Sequence, residues 1–296
     1  MTLPSTYARP VALNEEEKGA VTAELWRRRS DAQRWLEEHP TSYLATVERR
    51  DFGDRITLVV GSGATADVRI DDPNIRPEHV AVTVLADGFR VAAVDAMARF
   101  GIAGAERGEA YVGPGFVELG RYRLRLSHQG LPAIVVMDTE HLRRHDAVKI
   151  RYFPVDLSYR FVAPLERASR PEEVTILSTR GQERRGLRIG WFDLELAGQP
   201  LRLAATRLLE PGVGESAYAI YFRDRTTGRE TYSVGRYLDP EPASDGAFVV
   251  DFNLAYNPAC AFSPHYNCPI PTRENDLPVE VRAGELTPEG AHPSAD

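Results

Sequence analysis

The stretch Ala247–Asn275, AFVVDFNLAYNPACAFSPHYNCPIPTREN, changes from a regular pattern to an irregular one. In its first part every second residue is apolar, which predicts a strand over residues 247–256 with one apolar face. Asp251, Asn253 and Asn257 share the opposite, polar face. The second part has no regular period and is rich in proline, so specific contacts must hold it in place. We expect the two parts to enclose a polar cavity.

Short β-rich runs separated by turns also fill the region that precedes this stretch. The segment Arg225–Gly228 between two of the runs is typical of a hairpin turn, in which the glycine supplies a positive φ. Successive antiparallel strands with short turns predict an antiparallel β-barrel or a strongly curled sheet over residues 149–286. The expected strands are 159–165, 173–179, 185–196, 201–209, 216–224, 230–238 and 247–256.

Several motifs in this region form a family pattern. They are YFPVDLSYRF (152–161), GWFDLELAG (190–198), TTGRETYSVGRYLD (226–239), the 251–275 segment and a closing AGE at 283–285. With these motifs, residues 145–286 resemble the domain-of-unknown-function family 1684. The resemblance implies a fold related to that of this family. Longer members of the family carry a preceding tryptophan-containing helix and a small β module. It implies no activity.

A second group of short β-rich runs lies between residues 51 and 130 and predicts a small sandwich. The Asp87-Gly88 pair between two runs is a strong hairpin signal. The run GSGATADVRIDDPNIRPEHVAVTV (61–84) resembles the forkhead-associated (FHA) sandwich, which reads phosphothreonine. The family's arginine, serine and asparagine contacts are replaced here, so we expect a structural or protein-docking module. The expected strands are 56–60, 66–70, 79–85, 89–94, 110–113 and 122–126.

The predicted organisation is therefore mainly β, with one N-terminal helix. Asn14 and Glu17 have capping-box spacing at the start of a helix over 14–39. The domains expected in chain order are 1–50, the N-terminal helix and lead-in; 51–130, the FHA-like β-sandwich; 131–148, a linker; 149–286, the β-rich family domain; and 287–296, a disordered tail.

Composition excludes several classes of protein. The chain has 43 acidic against 36 basic residues and no basic block, which argues against a nucleic-acid partner. No apolar run approaches the length of a membrane-spanning helix, so we expect no membrane association. Two cysteines in 296 residues exclude a disulfide scaffold. No apolar secretory core precedes the acidic run at 15–17, so we expect a cytoplasmic location.

Arg236 is the central candidate for ligand binding. If it is buried, it needs a carboxylate partner such as Asp251, Glu274 or Glu285, because an uncompensated buried charge is costly. It then either forms a structural salt bridge or binds a small polar or anionic molecule. The residues expected to bind that molecule are Arg236, Tyr237, Asp251, Asn253, Asn257, Glu274 and Asn275.

Cys260, His265 and Cys268 allow several kinds of chemistry. They could bind zinc with Asp251 or Glu274 as a fourth ligand, although the spacing differs from common zinc motifs. The two thiols could instead form a disulfide, or be buried cysteines that hold the loop. We expect no metal or other cofactor.

Three functions therefore remain open. The first is binding of a small ligand beside residues 251–275. The second is a hydrolase in which His265 acts with Asp251 or with a thiol of Cys260 or Cys268. The third is a structural adaptor whose polar residues form a closed hydrogen-bond network. The first predicts a solvent-connected pocket lined by Arg236, Asp251 and Asn257, the second adds His265 or a cysteine to that lining, and the third predicts no cavity.

Overall fold

The computed structural model describes residues 7–129, 131–142 and 148–290. These residues divide into two compact units. The first unit contains the described residues between 35 and 142 together with 210–212, and the second contains the others. Both units are built mainly from antiparallel strands, as predicted. Among the described residues, no helix has the length and apolar character that crossing a bilayer requires.

The N-terminal helix α1 (Glu15–Glu38) begins with the predicted capping box. The backbone N–H of Glu17 donates to Asn14 Oδ1 at 2.9 Å, and the N–H of Asn14 donates to Glu17 Oε2 at 2.8 Å. These bonds satisfy two amides that the helix itself leaves unpaired. Within the second unit, buried Arg29 on α1 donates to the carbonyl oxygen of Phe153 at 3.0 Å.

The first unit is a β-sandwich. One sheet has the order β1-β11-β10-β9-β6-β7 and the other β3-β2-β4-β5-β8, and the apolar residues between them form one core. The predicted hairpin at Asp87-Gly88 joins β4 and β5, which pair in antiparallel register. The elements are β1 (Thr46–Asp51), β2 (Thr57–Gly61), β3 (Val68–Arg69), β4 (Val80–Val84), β5 (Phe89–Ala93), β6 (Phe100–Ile102), β7 (Ala105–Arg107), β8 (Glu109–Val112), β9 (Gly115–Leu119), β10 (Tyr122–Gln129), β11 (Leu131–Asp138) and α2 (Thr139–Leu142).

The predicted linker over 131–148 begins too early. Its first part is β11, which lies between β1 and β10 and contributes Ile134 and Val136 to the sandwich core. The run AIVVM (133–137) is apolar throughout and fully buried, a pattern typical of a strand covered on both faces. β1 likewise extends the sandwich into the expected lead-in.

The second unit contains three small sheets, with the orders β12-β19-β18, β13-β14-β15 and β16-β17. They share a core centred on Phe161, Phe192, Phe222 and Phe252. This arrangement matches the curled-sheet prediction, whereas the alternative of a closed barrel is wrong. The strands are β12 (Arg160–Pro164), β13 (Glu166–Leu177), β14 (Glu183–Leu196), β15 (Gln199–Leu208), β16 (Ile220–Phe222), β17 (Arg236–Leu238), β18 (Glu241–Pro242) and β19 (Ala247–Asp251).

Several strands in the second unit are shorter than predicted: the strand expected over 216–224 covers only Ile220–Phe222, and the one expected over 230–238 covers only Arg236–Leu238. The strand expected over 247–256 ends at Asp251, where a 3₁₀ turn, Phe252–Leu254, begins. Disorder was expected from residue 287, but the start of that segment is hydrogen-bonded: the N–H of Thr287 donates to the Glu230 carbonyl at 3.0 Å. Residues 291–296 of that tail lie outside the described residues.

Candidate functional site

Arg236 lies on β17 with its side chain 1% exposed. Its guanidinium donates to Asp224 Oδ2 at 3.0 Å, to the Val281 carbonyl at 2.7 Å and to the Ala283 carbonyl. Asp224 is also buried, and its other oxygen accepts from Thr226. The carboxylate partner is therefore Asp224, and not Asp251, Glu274 or Glu285 as expected. Of the two roles considered for Arg236, this arrangement corresponds to the structural salt bridge.

Asn257 is held by the carboxylate of Glu285. Its backbone N–H and its side-chain amide donate to Glu285 Oε2 at 2.8 and 2.9 Å. Burial raises the pKa of Glu285 to about 7, although the bonds from Asn257 and the charge of Arg236 act in the opposite direction. Burial and the nearby Glu285 charge likewise raise the pKa of Tyr152.

Asp251 and Asn253 form a second closed group. Asp251 pairs with Arg160 at 2.6 Å and accepts from the N–H of Asn253 at 3.0 Å. The side chain of Asn253 accepts from the Asp156 N–H and donates to the Asp156 carbonyl. Asp251 thus caps the 3₁₀ turn that ends β19, which explains why the predicted polar strand face does not form.

The other three predicted ligand-binding residues also contact protein groups. The Tyr237 hydroxyl donates to the Pro269 carbonyl. Asn275 accepts from the Ala204 N–H at 2.8 Å and donates to the Ala204 carbonyl at 3.0 Å. Glu274 pairs with Arg188 at 2.8 Å. All seven predicted residues therefore have partners within the second unit.

The thiols of Cys260 and Cys268 are free and buried, and the Cys260 N–H donates to Cys268 Sγ at 3.3 Å. His265 is partly exposed, and its backbone N–H donates to Ser263 Oγ at 3.5 Å. Across the part of the chain that the structure describes, no three or more His, Cys, Asp or Glu side chains are grouped as metal ligands. The zinc set of Cys260, His265 and Cys268 is thus not assembled.

A different site lies beside the β13-β14-β15 sheet, where a cavity of about 610 Å³ is present. Its polar lining is Arg167, Arg207, Glu215 and Ser216, and its apolar lining includes Leu187, Ile189 and Tyr218. We name it the arginine pocket. Among the described residues, neither guanidinium forms an ion pair, and the buried Arg207 Nε has no hydrogen-bond partner. The Arg167 guanidinium lies 5.9 Å from the centre of the Tyr218 ring.

A bulge in β13 forms one side of the arginine pocket. Arg167 lies opposite Gly190, and a Cβ at Gly190 would lie 2.3 Å from the Glu166 carbonyl oxygen. Only glycine therefore permits this close approach of the two strands. Beyond Arg167 the register shifts, and Ala168 and Pro171 in the bulged part reach the cavity.

The segment after β15 forms the other side. The N–H groups of Thr206 and Ala219 each donate to the other residue's carbonyl at 2.9 Å. This pairing brings the segment back onto β15 and sets Tyr218 beside Arg207. Arg207 in turn lies opposite Leu187 in the β14-β15 register, so both side chains are on the same sheet face.

The model of a family described as a protein of unknown function, DUF1684, matches residues 147–286. These residues belong to the DUF1684 family. A solution NMR structure of an uncharacterized protein of Haloarcula marismortui is 35% identical, and the match covers 50% of this chain and 80% of that one with a TM-score of 0.39. Among curated proteins, none matches this chain.

FHA proteins are also among the structural matches. The FhaA FHA domain, solved in complex with an intracellular domain, is 18% identical; the match covers 27% of this chain and 78% of that one, with a TM-score of 0.21. Mycobacterium tuberculosis EmbR, solved with a low affinity phosphopeptide, is 10% identical, with 43% and 32% covered and a TM-score of 0.22. The segment whose sequence resembles the FHA sandwich lies before the DUF1684 domain in the chain.

Sequence reasoning missed the arginine pocket within the DUF1684 domain. Arg207 stands in the predicted strand run LRLAATRLL, and Arg167 lies two residues after the run that ends at residue 165. Arginines near strands usually face water with their charge solvated, so neither residue stood out. The useful signal is Arg207 itself, because it stands near the end of a mainly apolar run that precedes a proline- and glycine-rich turn.

Proposed function

We propose that the DUF1684 domain binds a small organic anion in the arginine pocket. One observation carries this proposal: two arginines line one cavity, and neither is paired with a carboxylate in the described residues. Elsewhere in this domain arginines commonly pair with acidic residues, as Arg223 does with Asp276 at 2.7 Å. A carboxylate or phosphate group would supply the missing partner, and a guanidinium binds such groups with two parallel bonds.

The apolar lining supports an organic ligand over an inorganic ion. Leu187 and Ile189 offer hydrocarbon surface, and Tyr218 adds an aromatic ring. A volume of about 610 Å³ is within the range of small-molecule sites, which are mostly apolar with a few charged groups that orient the ligand. Ser216 supplies a hydroxyl for a further hydrogen bond.

This proposal keeps the kind of ligand expected from the sequence and moves its location away from residues 251–275. Arg236, Asp251 and Asn257 are each bonded to protein groups, which favours a structural role for them. No observation favours the hydrolase alternative. A protein partner of the FHA-like unit and a cytoplasmic location stay predictions.

Replacing Arg207 or Arg167 with glutamine is expected to weaken binding of phenyl phosphate and benzoate by about 10- to 100-fold. A hydrogen bond to a charged group contributes about 1.5–3 kcal/mol, which corresponds to that range. Isothermal titration calorimetry with the full chain measures the affinities. Inorganic phosphate, which lacks an apolar body, is expected to bind more weakly than phenyl phosphate.

The matched control is Arg185→Gln. Arg185 is exposed on β14, pairs with Glu173 at 2.9 Å and is not part of the pocket lining. Its replacement removes the same charge from the same sheet and should leave the affinity unchanged. Equal weakening in Arg185→Gln, or absence of binding of every probe to the unaltered chain, would contradict the proposed function.

A further inference from the structure

Cys260 and Cys268 face each other across a short loop within the DUF1684 domain. Their side chains are buried, and the Cys260 N–H donates to Cys268 Sγ at 3.3 Å. Since Cys268 Sγ lies against the backbone of Cys260, the two side chains are neighbours in the folded chain, as a disulfide requires.

The surrounding structure fixes both ends of the loop. Thr179 accepts from the Cys268 N–H at 3.0 Å through its hydroxyl, and its own N–H donates to the Cys268 carbonyl at 2.9 Å. The Tyr232 hydroxyl donates to the Cys260 carbonyl at 3.2 Å. These contacts come from two other parts of the domain, so the two cysteines stay close together without a covalent bond.

The two thiols differ in their environments. Hydrogen bonds from Cys268, Tyr232 and Thr179 lower the pKa of Cys260 despite its burial. Burial raises the pKa of Cys268, which therefore keeps its proton. Since the thiolate is the nucleophile in thiol chemistry, Cys260 is the sulfur that reacts first.

We propose that Cys260 and Cys268 are a site of reversible oxidation, in which a small disulfide such as oxidised glutathione converts the pair into an intramolecular disulfide. This inference goes beyond anion binding and does not depend on it. It assigns Cys260 as the attacking thiolate and Cys268 as the resolving thiol.

The reaction has two exchange steps. Cys260 Sγ attacks one sulfur of oxidised glutathione; the glutathione S–S bond breaks, and one glutathione thiolate leaves and takes up a proton. Cys268 then loses its proton and attacks Cys260 Sγ, which releases the second glutathione as a thiol. Two protein thiols are oxidised, and one glutathione disulfide is reduced to two thiols.

The test uses the folded full chain in buffers of defined reduced-to-oxidised glutathione ratio, quenched with acid and analysed by intact mass. We expect the chain to lose two hydrogens, to carry no glutathione and to recover its mass with dithiothreitol. The disulfide closes a nine-residue ring, so the unfolding temperature of the oxidised chain should rise by about 5 °C. A folded chain that stays reduced where the guanidinium-denatured chain is oxidised would overturn the proposal.

Single serine variants test the assignment of the two roles. Cys268→Ser leaves the attacking thiol without its resolving partner, so it should accumulate one glutathione on Cys260. Cys260→Ser should acquire glutathione at least tenfold more slowly, since the remaining thiol has a raised pKa and keeps its proton. Equal rates in the two variants would overturn the assignment of Cys260. The mass change of the unaltered chain decides the proposal even if a variant does not fold.

Discussion

Replacing Arg236 with methionine is expected to destabilise the DUF1684 domain by about 3–5 kcal/mol. The Asp224 carboxylate, whose side chain is 0% exposed, would then be buried without a counter-ion. The carbonyl groups of Val281 and Ala283 would lose their donor as well. Removing one member of a buried ion pair costs far more than the pair contributes, because the remaining charge has no access to water. Guanidinium chloride unfolding followed by circular dichroism measures the loss.

Arg282→Gln is the matched control. The guanidinium groups of Arg282 and Arg236 both lie over the Phe153 ring, at 5.2 and 5.9 Å, but Arg282 is half exposed and pairs with Glu230. Its replacement should cost less than about 1 kcal/mol. Combining Arg236→Met with Asp224→Leu should recover part of the loss, because the unpaired Asp224 carboxylate is then removed as well. A loss below about 1 kcal/mol in Arg236→Met would contradict the structural role of this pair.

The ionisation of Glu285 is expected to lower the free energy of unfolding of the domain as the pH rises from about 5 to 8. Its pKa of about 7 in the folded chain lies above the ordinary value of 4.5, so the folded state binds the proton more tightly than the unfolded state. The stabilisation from this proton is complete below pH 4.5 and is lost as the pH rises through 7. The difference between the two pKa values corresponds to a loss of the order of 3 kcal/mol.

Glu285→Gln tests this pH dependence, because glutamine resembles the protonated acid and still accepts from the Asn257 amide. The free energy of unfolding should be similar in the two proteins at pH 5, and the variant should be the more stable at pH 8. Subtracting one curve of unfolding free energy against pH from the other removes the contribution of every titratable group that both proteins share. The curve for Glu280→Gln, a change at an exposed position, should run parallel to the curve of the unaltered chain. Parallel curves for Glu285→Gln would show that Glu285 does not titrate in this range.

Local signals in the sequence were sufficient for much of the fold. The capping box of Asn14 and Glu17 depends on residues three apart, and it marks the start of α1 correctly. The Asp87-Gly88 turn identified the β4-β5 hairpin in the same way. β11 was missed because its run of apolar residues has no alternation. Only its pairing with β1 and β10 shows that it is a strand.

The site was harder to predict, because its contacts join residues that are far apart in the chain. Asp251 pairs with Arg160, 91 positions away, and Asn257 with Glu285, 28 positions away. The residue types show that these side chains are polar. Their spacing along the chain does not show whether protein groups or a ligand form hydrogen bonds with them. The opposite holds for Arg207, which looks like an ordinary strand residue until the fold places it beside Arg167 and Tyr218 in a cavity.

The location of anion binding is tested most directly by NMR of the full chain with ¹⁵N-labelled arginine. Titration with phenyl phosphate should shift the Nε–H signals of Arg167 and Arg207, assigned from the two glutamine variants. The signal of Arg236, whose guanidinium is bonded to Asp224, should stay in place. A shift of the Arg236 signal with those of Arg167 and Arg207 unchanged would contradict the arginine pocket and return the ligand to residues 251–275.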